Sequence, residues 1–464
     1  MKRVTVTIIM FILCAMLFIL ASCSSGAYNG DGDDFIMGLG ETDDPSKPAT
    51  ASSVPSKSSA TNSGSSNPSL ITAYNFKFEL SEDGTSYRIV ENGVYEGTTI
   101  VIPAMYDDKP VTAIAPFTFR ECIMLESITF SENLTDIPAS AFYSCTLLKE
   151  IKIEEGNVKY RAEGNCLIEK SDNKIVLGCS TSVIPSSVTA IGEHAFYQCA
   201  GLKIIDIPAS VTDISEKAYF GCTALEEIKV NEGNEKIYSS RNSENVECNC
   251  LIEKATGKVL FTCSGSNIPN KVSSYGDYAF VNNTKVTRVT IPEGATTISS
   301  SMLKNCENLE EIVIPDSVTS ISGFAFKDCK KLRSIIIAVE NSTFEVIDGC
   351  VIKKSDNSDK SVVLGACDAT IPDGVTSICA MSFMGRDITS INIPSSVKNI
   401  GEEAFSGCGE LISATFEVKE GWYIYYSAYT NQPPEKVDIE AEKFEDLSSA
   451  ALSLSKSTTT IYHD

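Results

Sequence analysis

The chain has 464 residues, a net charge of −23 and a sequence pI of about 4.6. This length exceeds what one ordinary compact core supports, so the chain contains several domains or grows in one direction as a repeat array. The acidity and the lack of a basic stripe in the sequence argue against nucleic acid and anionic lipid surfaces as partners.

Residues 1–22 are typical of a signal peptide. Lys2 and Arg3 precede the uncharged apolar run VTVTIIMFILCAMLFIL, and a basic start followed by an apolar run is the pattern of secretion signals. The run ends in Leu20-Ala21-Ser22-Cys23, which resembles the lipobox of bacterial lipoproteins, where the cysteine becomes the acylated first residue of the mature chain. We therefore predict a lipid anchor on Cys23. The alternatives are plain secretion and an uncleaved anchor, because about 18 apolar residues nearly span a bilayer.

The next two segments, residues 23–70 and 71–101, differ in composition. Residues 23–70 are rich in serine and poor in large apolar side chains, so they cannot offset the entropy of ordering, which predicts a disordered tether. In residues 71–101, apolar and polar residues alternate on both sides of Glu82-Asp83-Gly84, which indicates a β-hairpin. A hairpin at this place would cover the apolar face of the first repeat as an N-terminal cap.

A repeating pattern fills residues 102–415. About nine units of 23 residues follow I-P-x-x-V-T-x-I-x-x-x-A-F-x-x-C-x-x-L-x-x-I-x, and the units that begin at Ile184 and Ile207 are adjacent copies. One unit is too small to fold alone, since its roughly seven apolar anchors contribute about 10–20 kcal/mol, which is less than the backbone entropy lost on ordering the unit. Stacked units share their apolar faces, so the pattern predicts a leucine-rich-repeat solenoid, a right-handed coil of short parallel strands.

Each unit predicts one coil of the solenoid. The L-x-x-I-x-I-P segment favours a strand that ends at the proline, V-T-x-I favours a second short strand, and x-x-A-F a tight helical turn. Three insertions, near residues 153–183, 230–267 and 337–370, each have the pattern of strand, polar turn and strand. We expect them to be β-hairpins that leave the solenoid and return in register. Residues 416–464 break the repeat and contain the single tryptophan, Trp422, which predicts a C-terminal cap.

The repeat resembles the BspA-like leucine-rich repeat of bacterial surface proteins. The resemblance rests on I-P-x-S-V-T-x-I-G-x-x-A-F-x-x-C-x-x-L-x-x-I and spans residues 102–415. Two units depart from it: the unit at Ile268 has Asn283 in place of the cysteine, and the unit at Ile371 is one residue short. The resemblance implies an exposed protein that binds macromolecules of a host or of neighbouring cells, in adhesion to matrix proteins or in coaggregation.

Most of the 17 cysteines fall into two sets. Seven share one repeat position, so stacking would align them as a column of small buried apolar side chains; a disulfide ladder or metal strip is the alternative. The seven are Cys122, Cys145, Cys199, Cys222, Cys306, Cys329 and Cys408. The insertions carry three pairs that a hairpin could place opposite each other, as disulfides in an exported protein or as apolar pairs facing the core. These pairs are Cys166/Cys179, Cys250/Cys263 and Cys350/Cys367.

No spacing of residues points to catalysis. The two histidines, His194 and His463, stand in no arrangement typical of a catalytic triad or an imidazole metal site, and no phosphate-binding glycine motif occurs. We therefore expect a protein that is not an enzyme and that has no metal and no cofactor. A carboxylate pair formed by the fold is the one catalytic possibility that the sequence leaves open.

The candidate binding face is a column of strand positions that point outward between the buried anchors. Its residues vary in charge and size, as in surfaces that recognise proteins, although unselected drift would produce the same variation. The column shows no aromatic row of the kind that binds sugars. Its members are Lys152, Asp206, Lys229, Thr290, Val313, Ile336, Asn392 and Thr415.

The sequence as a whole predicts a lipid-anchored protein of the bacterial cell envelope, exposed at the cell surface, that binds macromolecules in adhesion. Its partner would be a protein of a host or of a neighbouring cell. The alternatives are a periplasm-facing structural or assembly protein of the envelope and a carbohydrate-binding accessory protein.

Overall fold

The computed structural model describes residues 76–92, 97–239, 248–266, 272–355, 359–426, 435–438 and 461–463, with residues 424–426 and 435–438 described by their backbone. The predicted signal peptide, the predicted lipidation site Cys23 and the predicted tether lie outside the described residues. Within the described ranges, no helix has the length and apolar character that crossing a membrane requires.

The described residues form 33 short strands and two single turns of 3-10 helix, Ala139–Phe142 and Gly323–Phe326. In chain order the strands are β1 (Lys77–Leu80), β2 (Tyr87–Glu91), β3 (Thr99–Val101), β4 (Met105–Tyr106), β5 (Lys109–Ile114), β6 (Ser127–Phe130), β7 (Glu150–Ile153), β8 (Tyr160–Glu163), β9 (Cys166–Glu169), β10 (Lys174–Leu177), β11 (Ala190–Ile191), β12 (Ile204–Ile207), β13 (Asp213–Ile214), β14 (Glu227–Val230), β15 (Ile237–Tyr238), β16 (Cys250–Glu253), β17 (Lys258–Thr262), β18 (Ser274–Tyr275), β19 (Arg288–Thr290), β20 (Thr297–Ile298), β21 (Glu311–Ile314), β22 (Ser320–Ile321), β23 (Ser334–Ile337), β24 (Phe344–Ile347), β25 (Cys350–Lys353), β26 (Lys360–Gly365), β27 (Val375–Ile378), β28 (Ser390–Ile393), β29 (Asn399–Ile400), β30 (Ser413–Phe416), β31 (Trp422–Tyr426), β32 (Glu435–Asp438) and β33 (Ile461–His463).

The L-x-x-I-x-I segments form the predicted parallel strands, which we call the first ladder. Equivalent residues of consecutive coils face each other, as Ile205 faces Ile228 between β12 and β14. Within each strand the apolar anchors of the repeat turn into the core and the residues that alternate with them turn outward. The first ladder is divided into four sheets: β3-β6-β7, β12-β14, β19-β21-β23 and β28-β30.

The V-T-x-I segments form a second ladder of two-residue parallel strands, such as β11 with β13 and β20 with β22. Between the two ladders the A-F segment makes the predicted tight turn, which places its phenylalanine in the core. These rings stack from coil to coil, with centroids 5.3 Å apart for Phe119 and Phe142 and 4.8 Å apart for Phe383 and Phe405. One coil per repeat, closed by two ladders and an aromatic stack, is therefore the unit of the solenoid.

The insertions contain the predicted hairpins, β9–β10, β16–β17 and β25–β26, each preceded by a third antiparallel strand. The expectation that they leave the solenoid is wrong. The last strand of each hairpin continues the second ladder, since β10 pairs in parallel with β11, β17 with β18, and β26 with β27. Each insertion therefore replaces part of a coil.

Burial on both faces explains why the insertions stay inside the array. In β9, Leu167 packs in the apolar cluster of the first coils, whereas Cys166 and Ile168 pack with Phe196 in the next cluster. A strand that is apolar on both faces must be covered on both sides. The strands β16 and β25 are buried in the same way. The insertions thus divide the main core into four segments and join neighbouring segments through shared strands.

Non-repeat elements cover both ends. At the N-terminal end, β1 and β2 form a hairpin, β2 pairs in parallel with β5, and the ring of Phe76 lies 5.9 Å from that of Phe119. At the C-terminal end, β33 pairs in an antiparallel manner with β29 and β31. There Trp422 is buried against Phe416, with ring centroids 5.3 Å apart.

A buried asparagine begins each insertion. The amide of Asn234 donates to the carbonyls of Pro208 and Val211 at 3.0 and 2.8 Å. Its oxygen accepts from the main-chain N–H groups of Lys236 and Ile237, also at 3.0 and 2.8 Å. Asn157 and Asn341 make the same four bonds in the other two insertions. The amide therefore ties the start of each insertion to the coil before it.

Candidate interaction surface

The structure places all eight candidate binding residues at the outward positions of the first ladder. Seven are exposed and Val313 is half-buried. Lys152 on β7 faces Thr129 on β6. The other seven face each other within three sheets, as Asp206 with Lys229, Thr290 with Val313 with Ile336, and Asn392 with Thr415. The predicted single column is thus four shorter ones, because the insertions interrupt the first ladder.

Ion pairs on this surface connect residues of the ladder itself. Lys152 lies 2.7 Å from Glu150 and Lys229 lies 3.1 Å from Glu227, while Arg288 bridges β19 and β21 through Glu311 at 2.8 Å. Pairs this exposed contribute about 0–1 kcal/mol each to stability. Their charges remain available to a partner, so the surface is a mosaic of charged, hydroxyl and aliphatic groups.

A cleft of ≈ 430 Å³ interrupts the ladder where the first insertion returns to it. One wall is the return segment, residues 180–184, and the other is β12 with the residues just before it. The volume falls within the range of ligand pockets, about 300–1,000 Å³. Sequence reasoning missed this cleft, because it arises where a repeat unit lacks its strand.

An aromatic row does exist, on the turn side of the coils and not on the ladder. Tyr143 stacks on Tyr197 at 4.0 Å and Tyr197 on Phe220 at 5.2 Å. These rings follow the A-F segment of their units and are buried outside the main core. His194 packs edge-on against Tyr143 and Tyr197, at 5.2 and 5.1 Å. Because these rings are buried, a sugar cannot reach their faces to stack on them.

The seven repeat cysteines are buried and free, so the structure favours the column of small side chains. From Cys145 onward each thiol donates to a main-chain carbonyl of the preceding coil, as Cys222 does to Phe196 at 3.1 Å. The two irregular units fill the same place with polar side chains. Asn283 donates to the Cys263 carbonyl at 2.8 Å, and Arg386 donates to the Phe326 carbonyl at 2.5 Å.

The expectation that the insertion cysteines of each pair lie opposite each other is wrong. In the first hairpin, Leu167 faces Leu177, so the register continues to Gly178 opposite Cys166 and leaves Cys179 one residue beyond it. Cys179 packs in the apolar cluster of the first coils, whereas Cys166 packs in the next cluster. Of the two alternatives for Cys166 and Cys179, the structure shows apolar packing without a disulfide, with the two side chains in different segments of the core.

The other two pairs are displaced in the same way. Cys250 faces Thr262 and Cys350 faces Gly365 across their hairpins, so neither faces its expected partner, Cys263 or Cys367. A bulge in each hairpin sets this register, and an offset of one residue turns Cys263 to the other face of its strand. Cys367 lies two residues beyond the end of β26, where its thiol donates to the Lys330 carbonyl of the preceding coil. In none of the three pairs does the hairpin register therefore place the two cysteines opposite each other.

The two histidines lie in separate parts of the solenoid. The ring of His463 lies 4.9 Å from that of Trp422, at the opposite end of the solenoid from His194. Among the described residues, no group of three or more histidine, cysteine or acidic side chains is placed to hold a metal ion. The carboxyl groups of Glu132 and Glu154 share a hydrogen bond, which lowers the pKa of Glu132 and raises that of Glu154.

The buried thiols predict that stability falls at alkaline pH. Burial raises the pKa of Cys222, Cys329 and Cys350 to about 12 and that of Cys408 to about 11, from an ordinary value of 9.0. The folded chain holds these thiols neutral while the unfolded chain ionises them. The stabilisation is therefore complete below about pH 9 and is lost as the pH rises through the folded values. Urea midpoints under reducing conditions should fall from pH 8 to pH 10.5, and less steeply in Cys222→Ala. A midpoint that is constant over this range would contradict the assignment.

A family model describes most of the chain. The BspA type leucine rich repeat region matches in six copies over residues 88–172, 177–257, 260–360 and 366–463. The boundaries between these matches fall within the three insertions, at residues 172–177, 257–260 and 360–366. No curated protein matches the chain.

Several solved bacterial proteins are similar to the chain. A leucine rich cell surface protein from Faecalibacterium prausnitzii is 25% identical, with 78% of this chain and 96% of that one covered and a TM-score of 0.35. A leucine-rich repeat protein from Eubacterium ventriosum is 19% identical, with 77% and 96% covered and a TM-score of 0.39. The pneumococcal vaccine antigen PcpA is 17% identical, with 74% and 80% covered and a TM-score of 0.34. With its repeat pattern, its coil geometry and the family match over most of its length, the chain belongs to the BspA type leucine-rich repeat family.

Proposed function

We propose that this protein is a lipid-anchored cell-surface adhesin whose solenoid binds proteins of a host or of neighbouring cells. The observation that carries the proposal is the first ladder, where fixed apolar anchors alternate with exposed residues that differ from coil to coil. Ten such strands present their outward residues on a scaffold whose core segments are joined through the shared strands of the insertions. Proteins of leucine-rich repeat families use surfaces of this kind to bind macromolecules.

The anchor and tether give this surface its reach. A diacylglyceryl and amide-linked acyl group on Cys23 would supply the two or more chains that stable anchoring needs. A serine-rich chain of the length of residues 23–70 spans about 35–40 Å on average. The solenoid would therefore stand clear of the membrane to which it is fixed.

Replacing Cys23 by serine should release the protein from the membrane. The hydroxyl cannot take the thioether-linked lipid, so we expect the Cys23→Ser chain in the soluble fraction of fractionated cells and the native chain in the membrane fraction. Cys14→Ser is the matched control, because Cys14 lies within the apolar run and should leave fractionation unchanged. Retention of Cys23→Ser in the membrane would support an uncleaved anchor in place of lipidation.

Two experiments test adhesion: one measures whether the solenoid is exposed on intact cells, and the other measures which molecules the purified protein binds. On intact cells, added protease should cleave the solenoid, and antibodies to it should bind. The purified protein, immobilised, should retain extracellular-matrix proteins or whole cells of neighbouring species, with little retention of a glycan panel. Complete protection from protease would favour the periplasm-facing envelope protein, and glycan binding without protein binding would favour the carbohydrate accessory protein.

A further inference from the structure

The cleft beside β12 exists because the first insertion returns to the array without forming a strand. Ser180 donates its main-chain N–H to the Leu148 carbonyl at 3.1 Å, which starts a new position in the first ladder. The segment is then held away from β12 by the turn of the insertion, where the Val183 N–H donates to the Gly164 carbonyl at 2.8 Å. A side chain at Gly164 would collide with the Val183 carbonyl, so this close approach requires glycine. The place of one ladder strand is left partly open.

The edge of β12 that faces the cleft has unpaired main-chain groups. On the other edge, the carbonyls of Lys203 and Ile207 accept bonds from residues beside β14. In a parallel strand the main-chain groups of alternate residues point to opposite edges, so those of Ile204 and Asp206 point toward the cleft. Among the described residues, β12 pairs with β14 and with no other strand. An open edge of this kind is a template for an added strand.

The floor of the cleft holds a buried hydroxyl group. Phe196 and Tyr219 line it, stacked with ring centroids 5.2 Å apart, and each is 1% exposed. In the described structure the Tyr219 hydroxyl has no hydrogen-bond partner. The equivalent residue of most other units is phenylalanine, as in the A-F consensus, so this hydroxyl is not needed to build a coil. The hydroxyl is itself buried, so a segment bound in the cleft cannot reach it, and the floor of the cleft offers only apolar packing.

We propose, on the basis of the proposed protein-binding function, that the cleft receives an extended peptide segment of the partner protein as an added strand beside β12. The main chain of the peptide pairs with Ile204 and Asp206. Its outward side chains contact the aliphatic groups of Val183, 69% exposed, and Ile204, 48% exposed. This is β-strand addition, in which main-chain bonds give affinity and pockets for alternate side chains give specificity. A sugar fits less well, because the two aromatic rings of the cleft are buried.

The test is a selection of a phage-displayed library of random octapeptides on the full chain, purified in detergent. We expect enriched peptides to bind the protein saturably and to compete with one another. Val183→Ser should weaken them about 3- to 10-fold through lost apolar contact, whereas Tyr219→Phe should leave their affinity unchanged, because that hydroxyl is buried below the cleft. Val339→Ser is the matched control, since Val339 is 91% exposed and outside the cleft. It should leave affinity unchanged. Methylation of alternate peptide amides should abolish binding.

Each opposite result overturns strand addition at this site. No enriched peptide, equal binding to Val183→Ser and the native chain, or binding that survives amide methylation would do so. Val183 is exposed and Tyr219→Phe restores the residue of the consensus, so both variants should keep the fold, which their thermal unfolding verifies. If matrix proteins or cells are still retained while the octapeptides fail, the proposed adhesion stands and its surface lies elsewhere on the solenoid.

Discussion

Asn234→Ala is expected to lower the free energy of unfolding by about 3 kcal/mol. The side chain is fully buried and makes four hydrogen bonds, two to carbonyls of the preceding coil and two from N–H groups of its own insertion. Alanine leaves all four main-chain groups buried without a partner, and each unpaired group costs free energy beyond the lost bond. Urea unfolding followed by circular dichroism measures the loss.

The neighbouring residue Asn231 supplies the matched control. It is exposed in the same turn and accepts one main-chain bond, from Gly233 at 2.9 Å. Asn231→Ala should therefore cost less than about 1 kcal/mol. Equal losses for the two variants would show that the buried amide does not hold the insertion to the preceding coil.

Gly365→Ala is expected to cost about 2 kcal/mol or more, by overpacking the core. A Cβ atom at this position would lie 1.9 Å from Cε1 of Phe383 and 2.2 Å from its Cζ. The ring cannot withdraw freely, because it is fully buried and stacks on Phe405 at 4.8 Å. The strand β26 and the turn of the next coil would have to move apart, which weakens the junction between the third insertion and the coils after it.

Gly409→Ala tests whether the loss at Gly365 comes from packing. No atom lies within 4 Å of a Cβ added at Gly409. Gly409→Ala therefore changes the backbone entropy of the unfolded chain as Gly365→Ala does, but it causes no collision. We expect Gly409→Ala to be neutral or slightly stabilising. A stable Gly365→Ala variant with an unshifted urea midpoint would mean that the ring of Phe383 has room that the structure does not show.

The coils could be predicted from the sequence because their signal is repeated. A single isoleucine predicts little about structure. Isoleucines that recur at the same two positions of every unit predict both strands of the coil and the face of each strand that is buried. The outward residues, such as Lys229 and Thr415, follow from the anchors that flank them. The eight candidate residues were therefore placed correctly on the ladder, although their role in binding stays a prediction.

The junctions between repeats and insertions could not be predicted, because each depends on a single local event. A bulge shifts the hairpin register by one residue and moves Cys263 away from Cys250, and no pattern in the sequence marks it. Gly365 has a glycine counterpart in the first insertion, Gly178, which lies equally close to Phe196, but the second insertion has Thr262 there, so the sequence pattern does not mark the tight contact. The cleft forms where a strand is missing, and a periodic sequence pattern predicts only the strands that form.

The shared strands of the insertions also determine how this elongated molecule comes apart. If the second core segment opened alone, the side chains of Cys166 and Ile168 would meet water while Leu167, on the other face of the same strand, stayed packed in the first. Unfolding of one core segment therefore exposes the shared strand of the neighbouring segment and makes the unfolding of that segment easier. When its two ends are pulled apart, the solenoid should therefore unfold in one cooperative event and not coil by coil.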